Sequence, residues 1–270
     1  MRRIDYSMRA RNMFAYRNGL IDQMYRTQEV LKAVDDPDVA ATLKDWHSHI
    51  GRVLLSSFAA ASPPPNVDTD ASDQDRVIAL WNVIGVVTAD FDGVGGSDNT
   101  RRFMMYIAWH EGARLKYRIQ QLSSGAPGPA RSFFQIQGAS AQTAYNSSSM
   151  TDERLNALAS FTGSSHDAIV AGFQSLTSSA SFPDGNVIAT LLEQSDIFGA
   201  YLARALLWTF SAPLPQPALP PVALFQPQAD YWFQYWHGGV GDDTLKQQFK
   251  DDCATVDPLL PAPPSIPSAP

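Results

Sequence analysis

Residues 100–122, with the sequence TRRFMMYIAWHEGARLKYRIQQL, form the stretch that decides the fold. Large apolar side chains recur in it at steps of three and four residues, the spacing that brings side chains onto one face of an α-helix. The stretch therefore predicts a long helix over 100–122. Its buried face would carry Met104, Ile107, Leu115, Ile119 and Leu122.

Glu111 occupies the position that is missing from this apolar face, four residues after Ile107 and four before Leu115. A carboxyl group held there is partly removed from water, which raises its pKa because burial disfavours the charged form. A raised pKa is what a general acid needs in order to keep its proton at neutral pH. The alternative is a structural ion pair with Arg114 or Arg118, since both lie within reach on a helix.

Outward from this helix, the sequence pattern predicts a mainly α-helical chain. Proline, glycine and polar clusters divide it into an N-terminal helical region (1–62), a linker (63–74), a helical domain (75–253) and a disordered tail rich in proline and alanine (254–270). Within the domain, helices are expected near 75–88, 100–122, 139–149, 152–161, 165–177, 186–211 and 242–253. Residues 132–137 are the one short candidate for a strand.

The composition excludes several classes of function. The formal net charge of −7 argues against nucleic acid as a partner, because phosphate binding needs clustered Lys and Arg. Residues 1–20 are basic and lack the apolar core of a signal peptide, and no window of about 18 apolar residues predicts a membrane span. With a single cysteine, Cys253, the chain cannot form an internal disulfide.

Two further stretches belong with the segment around Glu111. One is GPARSFFQI at 128–136, followed by GASAQTA at 138–144, and the other is DYWFQYWHGG at 230–239. Together with IAWHE at 107–111, they resemble the lysozyme-like superfamily, in particular soluble lytic transglycosylases, goose-type lysozymes and their phage-encoded relatives. Those proteins carry a Glu near the end of a helix, then a glycine-containing loop that ends in Gln-Ile, then a helix that opens on Thr-Ala. The resemblance extends over about 75–240, and its motifs are specific only at 107–145.

This resemblance implies a lysozyme-like helical domain and an enzyme that acts on peptidoglycan glycan strands. Glu111 would be the general acid and base that cuts the bond between N-acetylmuramic acid and N-acetylglucosamine. Neither a cofactor nor a metal is expected. If the chain is instead a non-catalytic component, the N-terminal helical region (1–62) and the proline-rich tail would serve to dock a further partner.

Two positions depart from the pattern of these relatives. Gly112 stands where a Ser usually follows the Glu, which removes a hydroxyl group near the acid. Arg131 and Ser132 stand where the loop usually has its second Gly. Arg131 thus places a cation beside the expected cleft, where it would either contact substrate or pair with Glu111.

Gln135 and the neighbouring aromatic pair are expected to line this cleft. The Gln135 amide would donate to and accept from the acetamido groups of the substrate, or else it would cap its own loop. Phe133 and Phe134 are expected to divide into one core ring and one cleft ring, with Phe134 named as the substrate contact.

Two aromatic residues further along the chain complete the expected site. Tyr145 lies where these relatives often place a Tyr that faces the Glu, although a core position in its helix fits equally well. Trp232 belongs to an aromatic cluster at 231–236, whose rings would either stack on sugar or clamp the C-terminal region.

The distribution of carboxylates favours one reaction outcome. No Asp or Glu occurs between Glu111 and Asp152, whereas a glycoside hydrolase needs a second carboxylate or a positioned water. Its absence favours the transglycosylase outcome, in which the C6 hydroxyl of N-acetylmuramic acid closes a 1,6-anhydro ring in place of water. Asp152, or Asp90 and Asp92, would restore hydrolysis if the fold brought one of them into the cleft.

Two metal motifs are incomplete. His110 and Glu111 begin the zinc motif His-Glu-X-X-His, but Arg114 stands at the position of the second His. Residues 90–98, DFDGVGGSD, resemble the start of a calcium loop, but Arg101 stands where that loop needs a Glu.

Two other functions remain open at the level of sequence. The chain could be a non-catalytic structural or injection component of a phage particle or secretion machine that keeps the lysozyme-like fold. It could also be an all-helical adaptor without glycan chemistry. Lacking a signal peptide, an enzyme of this kind is expected in a phage particle, or to reach the periplasm and cell wall by a non-Sec route.

Overall fold

The computed structural model describes residues 64–92, 98–215 and 225–261, and within these ranges the protein is mainly helical. The α-helices of these ranges are α1 (Asp73–Asp92), α2 (Asp98–Glu111), α3 (Gly138–Tyr145), α4 (Asp152–Thr162), α5 (His166–Gln174), α6 (Val187–Gln194), α7 (Asp196–Thr209), α8 (Gln226–Tyr231) and α9 (Asp243–Val256). A short antiparallel hairpin lies between α2 and α3 and consists of β1 (Ile119–Gln121) and β2 (Pro127–Arg131). A π-helix (Trp232–Trp236) continues α8, and a 3-10 turn (Asp257–Leu259) follows α9.

Helix α7 lies at the centre of the domain. Residues 196–207 of this helix are all buried, and the two charged residues among them, Asp196 and Arg204, form ion pairs. It packs against α1 and α3, and α1 packs in turn against α2. Helix α2 adds an unbroken buried run over 103–109, so its C-terminal end is held firmly by the core.

The helix predicted over 100–122 is wrong in its second half, because α2 ends at Glu111. The next residues turn sharply: Ala113, Arg114 and Leu115 have positive φ angles of 47°, 60° and 60°. Tertiary bonds stabilise this turn, because the buried Arg76 donates from Nε to the Arg114 carbonyl oxygen at 3.0 Å. Leu115 is still buried, but Leu122 of the predicted apolar face is 42% exposed.

The strand predicted over 132–137 is also wrong. Arg131 and Ile136 exchange two backbone hydrogen bonds at 2.9 and 2.8 Å, and the residues between them form a tight turn with positive φ at Ser132 and Gln135. The strands lie just before this turn, where Ile119 pairs with Arg131.

The helix predicted over 186–211 is two helices. Ser195 interrupts it with an extended backbone (φ −135°, ψ 108°), and its hydroxyl accepts a hydrogen bond from the Phe198 amide as the N-cap of α7. The other helices predicted for the domain are present with shifted ends.

The helical domain extends beyond both of its predicted ends. In the predicted linker, Val67 is buried, and its amide donates to the Asp196 carboxylate at 2.7 Å. At the other edge, the prediction of a disordered tail from 254 is wrong for residues 254–259, which belong to α9 and the 3-10 turn. The buried side chains of Val256 and Leu260 and a 2.6 Å hydrogen bond from the Tyr106 hydroxyl to Asp257 hold them in place. The predicted N-terminal helical region, residues 216–224 and residues 262–270 lie outside the described residues.

Candidate active site

Glu111 is the last residue of α2 and is partly buried at the point where the chain leaves the core. The helix carries the negative end of its dipole there, which disfavours a further negative charge. A carboxylate is therefore poorly accommodated at this position, and a neutral carboxylic acid is accommodated better.

Gly112 allows the chain to turn directly after the acid. A Cβ atom at this position would lie 2.7 Å from the Ala108 carbonyl oxygen and 3.1 Å from atoms of Phe133. No larger residue fits without a shift, so the backbone is closely packed at this glycine. The packing fixes where Glu111 points relative to the loop that contains Phe133.

Trp232 is the hydrogen-bond partner of Glu111. Its indole Nε1 donates to Glu111 Oε1 at 2.9 Å. The indole is 1% exposed, stacks on Phe249 at a centroid distance of 4.7 Å and meets the His110 ring edge-on at 4.7 Å. It is thus a buried support for the acid, and the expectation that it stacks on sugar is wrong. The alternative of an aromatic clamp describes its position.

Burial raises the pKa of Glu111 above its ordinary value. Three neighbours act in the opposite direction: the charge of His110, the hydrogen bond from Trp232 and the charge of His237. The desolvation is the larger effect, so the carboxyl group holds its proton at a higher pH than an ordinary Glu does.

The arginines considered as ion-pair partners of Glu111 are directed elsewhere. Arg118 binds Asp196 through Nε at 2.7 Å, and Arg131 pairs with Glu193. Arg114 is exposed on the turn after the helix. Among the described residues, Glu111 has no ion pair with a cation, so the structural ion-pair alternative is wrong here.

Gln135 lies in the turn between β2 and α3. Its Nε2 donates to the Ser132 carbonyl oxygen at 2.9 Å, so the amide does cap its own loop. Its Oε1 is buried and has no donor within the part of the chain that the structure describes. The side chain thus combines a structural bond with an unused acceptor, and its contact with substrate stays a prediction.

The two phenylalanines of this loop both lie in the core, each 1% exposed. The expectation that Phe134 forms a cleft ring in contact with substrate is therefore wrong. The cause is the tight turn at 132–135, which directs both rings inward, where Phe133 also lies under the Arg118 guanidinium at 4.5 Å.

The sequence allows two roles for Tyr145 and two for Arg131. Tyr145 is partly exposed at the end of α3 and stacks on Phe173 at 4.6 Å, so its ring does pack on the core. Arg131 is 20% exposed and is oriented by Glu193 and by the Gly128 carbonyl oxygen at 2.6 Å. Among the described residues, their bonds and ring contacts are with residues other than Glu111, and their substrate contacts stay predictions.

The carboxylates that could act as a second acid are either paired with arginines or exposed to solvent. Asp90 accepts from Arg154 at 3.0 Å, and Asp92 pairs with Arg204. Asp152 is 88% exposed at the start of α4. None of the three is a free acid held in a cleft.

Sequence reasoning missed the pair formed by His110 and Asp252. Nδ1 of His110 lies 2.7 Å from Asp252 Oδ2, across the contact between α2 and α9. His110 directly precedes Glu111, and that adjacency was the available signal. The partner 142 residues away had no signal in the sequence.

In the described ranges, no three His, Cys, Asp or Glu side chains lie close enough to hold a metal ion, and no helix is long and apolar enough to span a membrane. Comparisons of this chain with protein families, with curated proteins and with solved structures find no match.

Proposed function

We propose that the protein is a peptidoglycan lytic transglycosylase, or a closely related muramidase, in which Glu111 is the catalytic acid. The observation that carries the proposal is the environment of this carboxyl group. It is desolvated, it lies at the negative end of a helix, and its hydrogen-bond donor is the neutral Trp232 and not a guanidinium.

The order of elements around Glu111 supports the same proposal. The acid ends a helix, a hairpin and a turn containing Gln135 follow, and helix α3 begins at Gly138. This is the order of Glu, loop and helix that the resemblance to lytic transglycosylases implies.

In the proposed reaction, Glu111 transfers its proton to the glycosidic oxygen as the bond from that oxygen to C1 of N-acetylmuramic acid breaks. The resulting carboxylate accepts a hydrogen bond from Trp232 Nε1 and then takes the proton of the C6 hydroxyl group. The C6 oxygen bonds to C1 and closes the 1,6-anhydro ring. Asp90 and Asp92 are held by arginines, which supports a mechanism with one acid that acts twice.

The test is digestion of purified peptidoglycan by the wild-type protein and by Glu111→Gln, with exposed Glu153→Gln as the matched control. We expect Glu111→Gln to lower the release of soluble fragments by about 10²- to 10⁴-fold and Glu153→Gln to leave it unchanged. Mass spectrometry is expected to find 1,6-anhydro ends.

Two results would overturn parts of this proposal. An inactive wild type, or an active Glu111→Gln, would reject the enzyme and favour the non-catalytic component. Products with only reducing ends would reject the transglycosylase and leave the muramidase.

A further inference from the structure

A groove of about 440 Å³ lies beside the end of α2, between the turn at 113–115 and helix α9. Its volume falls within the range of about 300–1,000 Å³ that is usual for ligand sites. The residues that give it chemical character are Trp109, His110, Arg114, Gln248, Asp251 and Asp252. Glu111, one residue after His110, is not among its lining residues.

One wall of the groove presents the guanidinium of Arg114. This residue is exposed, and among the described residues its side chain has no ion pair. It is the middle of three consecutive non-glycine residues with positive φ, a conformation that costs about 1–2 kcal/mol per residue. Strain of this kind persists where surrounding contacts enforce it, as the bond from buried Arg76 does here, and it concentrates at binding sites.

The opposite wall, on α9, presents carboxylates. Asp251 is exposed, and Asp252 is oriented by His110 at 2.7 Å. Trp109 also lines the groove, and its buried indole N–H has no acceptor within the described part of the chain. The groove therefore offers a cation on the α2 side and an anion on the α9 side, above the buried indole of Trp109.

We propose that this groove binds the peptide stem of the glycan, with a stem carboxylate at Arg114 and a free stem amine at Asp251. This inference depends on the proposed function for the identity of the ligand. A neutral sugar ring has no charge that would match the two walls, whereas a short peptide with a free amine and a free carboxylate matches both. The stem is attached to N-acetylmuramic acid, next to the bond that Glu111 would cut, and the groove begins one residue away from Glu111.

The test measures binding of an N-terminally acetylated stem tetrapeptide by calorimetry, because that amine is bonded to N-acetylmuramic acid in the glycan. The same peptide is also measured with its side-chain amine acetylated or its carboxylates amidated. We expect each blocked peptide to bind the wild-type protein about fivefold more weakly, the effect of losing one exposed charge pair. Arg114→Gln should become insensitive to amidation only, and Asp251→Asn insensitive to acetylation only. Lys116→Gln, an exposed cation two residues from Arg114, should behave as the wild type.

Absence of tetrapeptide binding would overturn the inference. So would an Arg114→Gln variant in which amidation still weakens binding as it does in the wild type. Because binding requires no cleavage, the two proposals fail separately. A Glu111→Gln protein that binds the peptide and does not cut glycan supports both, whereas one that binds and still cuts rejects the role of Glu111 alone.

Discussion

Trp232 Nε1 and Glu111 Oε1 are 2.9 Å apart, although 121 residues of sequence separate them. The bond joins the end of α2 to the π-helix at 232–236, and segments of this kind are frequent at functional sites. The indole is itself fixed by stacking on Phe249 of α9. The C-terminal part of the domain therefore positions the acid.

Replacing Trp232 by Phe removes the donor and keeps an aromatic ring on Phe249. Since the bond from Trp232 lowers the pKa of Glu111, its loss should raise that pKa further. The basic limb of the pH profile of kcat/KM, where a general acid loses its proton, should then move to higher pH. We also expect a loss of about 1 kcal/mol in the free energy of unfolding.

Trp208→Phe is the control for this substitution, because Trp208 is 49% exposed and distant in sequence from both partners. A Trp232→Phe protein whose basic limb stays in place, or moves to lower pH, would show that the indole does not influence the acid.

Glu111→Gln should make the protein more stable at neutral pH. The folded-state pKa of Glu111 lies above the ordinary value of 4.5, so its contribution to stability is complete below 4.5 and is lost as the pH rises through the folded-state pKa. Glutamine does not titrate, and its amide oxygen can still accept from Trp232. Thermal melts should therefore show a Tm advantage of the variant that grows as the pH rises above 4.5.

Glu153 provides a control of opposite sign, because hydrogen bonding at the start of α4 lowers its pKa. Its contribution to stability is present above the ordinary value and is lost as the pH falls through the lowered folded-state pKa, so Glu153→Gln should show no such advantage at neutral pH. Equal Tm profiles for the wild type and Glu111→Gln would contradict the desolvation of Glu111.

Arg118→Ala should be strongly destabilising. It leaves the buried carboxylate of Asp196, whose side chain is 1% exposed, without its cation and frees the Val67 carbonyl oxygen that Arg118 also binds. Removing one partner of a buried pair costs about 3–5 kcal/mol, which urea denaturation would measure. Lys116→Ala, on the exposed turn, should change the free energy of unfolding by less than about 0.5 kcal/mol.

The sequence was sufficient to single out Glu111 but not to find where its helix ends. Leu115 and Ile119 continue the spacing of three and four residues, so the local pattern gives no stop. The stop depends on Arg76, which binds the Arg114 carbonyl oxygen from 38 residues away. The spacing of apolar residues does not predict such a bond.

The aromatic cluster at 231–236 shows the same limit for the site. Its composition fits both a sugar-binding platform and a packed clamp. Only the tertiary contacts of Trp232 with Phe249 and His110 show that this residue belongs to a clamp. Likewise, the GPARSFFQI stretch resembles a family motif, but the tight turn that buries both of its phenylalanines depends on paired hydrogen bonds between Arg131 and Ile136.

The most direct test of the central claim is a ¹³C NMR titration of the glutamate side-chain carboxyl groups. The chain has only four of them, Glu29, Glu111, Glu153 and Glu193, so the spectrum is simple, and Glu111→Gln identifies the signal of interest. We expect that signal to titrate with a pKa above 4.5, the ordinary value, and at a higher pH than the signal of Glu153. A Glu111 signal that titrates at or below 4.5 would contradict the account of a proton held ready for the glycosidic oxygen.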